Sequence, residues 1–246
     1  MNALKIALQF MTRLPTGATD YNDADVKASI YWYGVVGLII GALLWVTQSV
    51  LLWIAPQINS GIVAAVLLCL WVALTGALHL DGLADTADAW LGGTTPEKTL
   101  AIMKDPRCGP AGVTSIVLLL LIKFACLQAL VVETPALLLL APSLARSLMP
   151  ILFLHTPYVR AAGLATPFKE GLAASTSYVQ ATLLALLWVI VMGASALPAL
   201  LLVGIVFWWL RTLMLKRIGG TTGDTAGATV EIIEAFALLT MALVVS

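Results

Sequence analysis

Seven apolar stretches follow one another along the chain, at roughly 31–54, 62–79, 112–132, 136–155, 181–197, 199–214 and 227–245. Each approaches the ~20 residues an α-helix needs to cross a bilayer. In hydrocarbon, backbone polar groups must be paired within the segment or in a closed barrel, and runs this long and apolar specify helices. The composition agrees: 61% of the 246 residues are apolar and 11% charged, against about 45–50% and 25% in soluble domains. The expected fold is all-α, a single polytopic membrane bundle over 1–246. The fifth and sixth stretches meet at Ala196-Leu197-Pro198 and are expected to form a helical hairpin or tilted spans. The seventh opens with Glu231 and Glu234 and is the weakest of the set. Residues 3–14 are too short to span and read as an interfacial amphipathic helix ended by Pro15 and Gly17.

The charges set an orientation. Seven spans place Lys5, Arg13, Lys27, Lys98, Lys104, Arg107, Arg160, Lys169, Lys216 and Arg217 on one side. The opposite loops, 55–61, 133–135 and 195–199, hold no Lys or Arg. Positive residues stay inside, so the N-terminus is expected in the cytoplasm. Every Asp, with Glu97 and Glu170, falls on that side, and only Glu133 lies opposite. No Lys/Arg-led signal peptide with a small-residue cleavage site opens the sequence, so the N-terminus is expected to be retained. A net charge of zero argues against a nucleic-acid surface. Cys69, Cys108 and Cys126 lack metal or redox spacing. Gly34, Gly37 and Gly41 at helical spacing predict close helix packing.

One segment departs from this economy of charge: His79-Leu-Asp-Gly-Leu-Ala-Asp-Thr-Ala-Asp88. On a helix Asp81, Asp85 and Asp88 fall within about 60° of one another. Three like charges leaving a membrane span call for a positive partner, and hard oxygens suit Mg²⁺. A solvated polar face is the plainer reading, though such faces usually mix Lys with Glu. His79 at a span end is more ordinarily an interfacial residue than a ligand.

Three further groups carry chemistry. Lys104-Asp-Pro-Arg107-Cys-Gly109-Pro-Ala-Gly112 combines cations with glycines at a helix start, a phosphate-binding composition that turn residues beside a positive-inside cluster would also produce. Gly219-Gly-Thr-Thr-Gly-Asp224-Thr-Ala-Gly227 reads as a loop, with Asp224 capping the last helix and sharing a face with Glu231. It lacks the Gly-Lys-Ser/Thr of a P-loop. Arg146, mid-span between Pro142 and Pro150, needs an anionic partner, either a carboxylate or a substrate phosphate. Lys123 is similarly placed but could snorkel. Acids and cations gathered on one membrane face form an inventory for Mg²⁺-assisted phosphoryl transfer. A cytoplasm-facing transporter would set its acids nearer the midplane.

Four blocks then resemble a known family: Phe10-Met-Thr-Arg-Leu-Pro15, His79 to Asp88, Ile102-Met-Lys-Asp-Pro-Arg-Cys-Gly109, and Gly219 to Ala228 with Glu231. In order and over nearly the whole chain they look like cobalamin synthase, the adenosylcobinamide-GDP ribazoletransferases. A local departure is Ala89-Trp90, where a Gly is common. The resemblance implies that a hydroxyl of α-ribazole (or its 5′-phosphate) attacks the phosphoryl group on cobinamide, releasing GMP at the cytoplasmic (inner) membrane with Mg²⁺ as cofactor. Asp81, Asp85, Asp88, Asp224 and Glu231 are then the expected metal ligands, with Asp81 and Asp85 catalytic and Asp81 the favoured proton acceptor. Arg13, Lys104, Arg107 and Arg146 are the expected phosphate contacts. Tyr31, Trp32, Tyr33 and Trp90 are candidates to line a corrinoid cavity, though interfacial anchoring is their more ordinary role. The partners implied are the two substrates and the lipid bilayer; a homo-oligomer or association with other late cobalamin-pathway enzymes stays open. A CDP-alcohol phosphatidyltransferase, another membrane Mg²⁺ enzyme, fits less well, because Asp81-Gly82 is not followed by its Ala-Arg.

Overall fold

The structure, a computed structural model, describes residues 2–131, 135–160, 166–169 and 172–245. The expectations at Glu133 and Glu170 fall outside them. The described chain is helical, with one isolated backbone bridge between Tyr158 and Thr221. In order come α1 (Asn2–Met11), α2 (Asp23–Ser29), α3 (Tyr33–Ile54), α4 (Ser60–Thr75), α5 (Leu78–Gly92), α6 (Pro96–Ile102) and α7 (Pro110–Leu130). Then follow α8 (Leu140–Ser147), α9 (Met149–His155), α10 (Ala174–Met192), α11 (Ala196–Ile218) and α12 (Gly223–Val245).

Among the described residues, five helical runs are long and apolar enough to cross a membrane: 23–54, 110–130, 136–155, 174–218 and 223–244. A sixth crossing arises if α4 and α5 count together. The expected span at 62–79 is therefore not one straight helix. α4 stops at Thr75, and α5 leaves at 86° to it. The cause is local: Gly76 and Ala77 both take left-handed backbone, with φ of +61° and +58°. Ala77, with its Cβ, tolerates this only at a cost of about 1–2 kcal/mol. The acid-bearing α5 thereby runs across the direction of α4 and packs against α7 and α12.

The turn expected at Ala196-Leu197-Pro198 falls three residues earlier, and those three residues open α11. α1 buries Ala3, Ile6, Ala7 and Met11 and leaves Lys5 exposed, a two-faced helix. α10 and α11 are separated at Gly193, whose φ of +62° breaks the helical path. The 136–155 stretch is discontinuous, with a 3₁₀ turn over Pro135–Leu139 and then the short α8 and α9. Prolines explain the breaks, since Pro142 and Pro150 each remove an N–H from the ladder. The α3 glycines meet this broken run directly. A Cβ built on Gly37 would stand 2.2 Å from the Pro142 carbonyl oxygen, and one on Gly41 2.6 Å from that of Leu138.

Charge is also buried in the bundle. Lys123 on α7 donates to Glu231 (2.6 Å) and Glu234 (2.5 Å) on α12, and lies 4.7 Å from the Trp71 ring centroid on α4. Arg146 on α8 pairs with the other Glu234 oxygen and donates to the Pro142 carbonyl at 3.0 Å. Two cations and two anions thus neutralise one another away from water, the condition under which buried ions are tolerated.

Candidate active site

α5 sorts its side chains by face. Leu80 and Leu83, three apart, are buried with Leu119 of α7 and Ala228 and Ala235 of α12. On the other side Asp81 is exposed and Asp85 partly so. Gly82, between the leucines, is where α5 meets α12. A Cβ there would come 2.7 Å from the Asp224 carbonyl oxygen, so only glycine lets the two backbones approach this closely. That contact brings Asp224, in the first turn of α12, against the α5 acids. Asp81, Asp85 and Asp224 thereby gather like charges where α5 meets α12. The acids repel, and added positive charge here would be stabilising.

Asp88 goes elsewhere. Its carboxylate accepts the backbone N–H groups of Gly109 (2.6 Å) and Gly112 (2.9 Å) at the start of α7. The glycine-rich segment expected to bind substrate phosphate thus already holds an anion, supplied by the protein itself. A Cβ on Gly109 or Gly112 would fall 2.5 or 2.6 Å from an Asp88 oxygen, which accounts for both glycines. Glu231, expected among the metal ligands, lies in the buried network as the Lys123 partner.

The cations divide in the same way. Arg146, expected to reach phosphate, is fully buried and paired with Glu234. Arg107 is exposed and grips Asp105 through Nε (2.9 Å) and a terminal nitrogen (2.6 Å), holding that carboxyl down at about 2. Lys104 is exposed. Arg13 donates its backbone N–H to Leu74 (2.7 Å) and lays its side chain over Gly76, where a Cβ would stand 2.2 Å from its Nε. It thus packs on the bend that launches α5.

The cation that meets the acids is Arg160. It pairs with Asp224 and reaches the Met103 carbonyl at 3.4 Å. Its segment is pinned to the loop before α12: Thr221 donates to Pro157 (2.8 Å), and Val159 donates to Thr221 (3.0 Å). Gly220 permits this, since a Cβ would lie 2.1 Å from the Pro157 oxygen. Thr222 and Thr225 cap the helix reciprocally, each backbone N–H donating to the other hydroxyl, at 2.8 and 3.2 Å. The sequence reading used Arg160 only for orientation. Its partner lies 64 residues away, so no spacing rule could pair them.

A cavity of about 350 Å³ opens between these elements. Asp81, Asp224 and Arg160 form a charged end, while Phe10, Tyr33, Phe153 and Phe168 form an aromatic one. Of the four aromatics expected near a corrinoid, Tyr33 lines it. Among the described residues, no three His, Cys, Asp or Glu side chains converge to hold a metal by themselves. A site using one or two carboxylates plus substrate oxygens remains within reach of Asp81, Asp85 and Asp224.

The chain matches the family model described as cobalamin-5-phosphate synthase over residues 3–242. It is similar to proteins named adenosylcobinamide-GDP ribazoletransferase from several bacteria. That of Pseudomonas paraeruginosa is 49% identical over 99% of this chain and 98% of the relative. Those of Stutzerimonas stutzeri and Ectopseudomonas mendocina are 48% and 47% identical, over 99% of this chain and 98% and 99% of their own lengths. No solved structure matches the chain.

Proposed function

The chain belongs to the cobalamin-5-phosphate synthase family, and from that premise we propose how its cavity works. The enzyme joins the cobinamide phosphoryl group of adenosylcobinamide-GDP to a hydroxyl of α-ribazole or α-ribazole 5′-phosphate, and GMP leaves. The observation that carries the site is the meeting of Asp81 with Asp224 and Arg160 on one cavity wall.

In the transfer, the acceptor oxygen forms a bond to the phosphorus that bears cobinamide. The bond from that phosphorus to the oxygen bridging to GMP breaks, and GMP leaves with the electron pair. Asp81, exposed on the wall, is placed to receive the proton of the attacking hydroxyl. Arg160 offers its guanidinium to the diphosphate oxygens while keeping Asp224 in position. The carboxylates of Asp81, Asp85 and Asp224 are hard-oxygen donors that suit Mg²⁺, which when bound supplies positive charge against the diphosphate.

Purified protein given both substrates and Mg²⁺ should release GMP in step with corrinoid product. EDTA should abolish that release, and Mg²⁺ should restore it. Absence of GMP would remove the transferase reading in favour of a transporter. Release of CMP from a CDP-alcohol instead would point to the phosphatidyltransferase class.

The reading includes seven spans with a cytoplasmic N-terminus in the inner membrane. The 174–218 run would measure about 68 Å as one helix, over twice the ~30 Å hydrocarbon core. Its break at Gly193 supports reading it as two spans. With α4 and α5 taken as one crossing, the total is seven, and the Lys/Arg asymmetry sets the orientation. In a variant lacking the native cysteines, Ile58→Cys should react with an impermeant thiol reagent applied outside, and Thr95→Cys should not. The opposite pattern would invert the topology.

A further inference from the structure

We propose that the aromatic end of the cavity is the seat of the acceptor's base, the flat and largely apolar benzimidazole ring system of ribazole, and that guanine of the donor is excluded from it. This inference rests on the transferase reading and adds which substrate the cavity takes. Volume is the first argument. About 350 Å³ lies at the small end of ligand pockets. It accommodates a nucleoside, while the corrin macrocycle is too bulky to enter.

Chemistry then separates the two nucleosides. Phe153 forms the centre of a contiguous ring cluster, 5.5 Å from Phe168 and 6.2 Å from Tyr158 between centroids, and Tyr33 meets Phe168 edge-on at 6.3 Å. Phe10, Met11 and Met149 complete that end. Among the described residues the ring cluster of Tyr33, Phe153, Tyr158 and Phe168 offers a guanine edge two hydroxyls and no carboxylate, amide or guanidinium, and the imidazole of His79 lines the cavity outside that cluster. Guanine would leave several polar groups unpaired there, a strong penalty, whereas a dimethylated benzimidazole has no ring N–H to satisfy. Ring faces are what such a base needs.

Placement agrees with the reaction. Tyr158 joins the ring cluster through Phe153 and lines the cavity together with Arg160 and Asp224. A base lodged among the rings would direct its ribose toward Asp81, where the attacking hydroxyl is required. The Phe10-Met11 block, which the charge argument left without a role, then supplies part of the base's wall.

Equilibrium binding and steady-state kinetics test this together. Wild-type protein should bind labelled α-ribazole without donor, and guanosine at equal concentration should not displace it. Phe153→Leu and Phe168→Leu should raise the KM for α-ribazole about tenfold or more, the scale of a lost stacking contact, with the KM for adenosylcobinamide-GDP unchanged within about twofold. Phe153→Tyr and Phe168→Tyr, which keep the ring, should retain the wild-type ribazole KM. Displacement of ribazole by guanosine would overturn the proposal without need of any variant. So would a shift confined to the donor's KM, or failure of the Tyr variants to retain ribazole affinity. If wild-type protein binds ribazole selectively yet releases no GMP, the subsite stands and the transferase reading falls.

Discussion

Asp81→Asn and Asp85→Asn should each lower GMP release on the order of a hundred- to a thousandfold while leaving the protein folded. Each substitution keeps shape and removes one charge from the acids gathered where α5 meets α12, with Asp81 on the cavity wall beside Asp224 and Asp85 one turn further along α5. If those carboxylates hold a cation against the diphosphate, the loss falls on the transition state, the scale seen when one preorganised electrostatic contact is removed. Removing a repelling charge should not destabilise the fold, so unfolding measured in the same detergent should shift little or upward. Asp88→Asn sets the contrast. Its carboxylate caps α7 through two backbone N–H groups, so its loss should reduce stability by about 1–2 kcal/mol and reduce turnover less. Near-normal Mg²⁺-dependent turnover in both Asp81→Asn and Asp85→Asn would refute the assignment. Equal losses of turnover at all three positions would mean that the stripe acts as a unit.

Lys123→Met should destabilise the bundle by about 3–5 kcal/mol, because Glu231 would lose its cation in a buried site. Glu234 would keep Arg146. The double variant Lys123→Met/Glu231→Leu should therefore recover most of the loss, since it removes the uncompensated charge together with its partner. Thermal unfolding of purified protein measures both. A single variant as stable as the parent would show that the network contributes little. A double variant no better than the single would mean that Glu234 needs both cations.

Much of the fold was legible, because bilayer thickness and backbone pairing leave few choices for apolar runs of this length. The turn at Gly76-Ala77 was not, since alanine gives no sign of left-handed backbone. Helical spacing put three aspartates on one stripe, and α5 does carry them. Yet the stripe does not meet one environment: Asp81 lines the cavity, Asp85 lies one turn further along α5, and Asp88 reaches the N–H groups of a neighbouring helix. Periodicity specifies direction around a helix but not what waits there. Glu231 was drawn into the site by its spacing from Asp224, and charge balance inside the spans would have corrected this. Lys123, Arg146, Glu231 and Glu234 sum to zero, and pairing them required only that neutrality be imposed. Arg160 and Phe168 belong to segments without periodicity, so only the folded chain places them beside the cavity.

The Lys123 and Arg146 partners also set a timetable for synthesis. Both cations are made and inserted well before their anions, because Glu231 and Glu234 lie on the final helix. Until α12 emerges, the growing chain carries two unmatched charges in its apolar segments, and the cavity lacks its Asp224 wall. Assembly thus waits on α12, which is made after both cations. A chain arrested before α12 would be an incomplete bundle that carries two unpaired cations among its apolar helices.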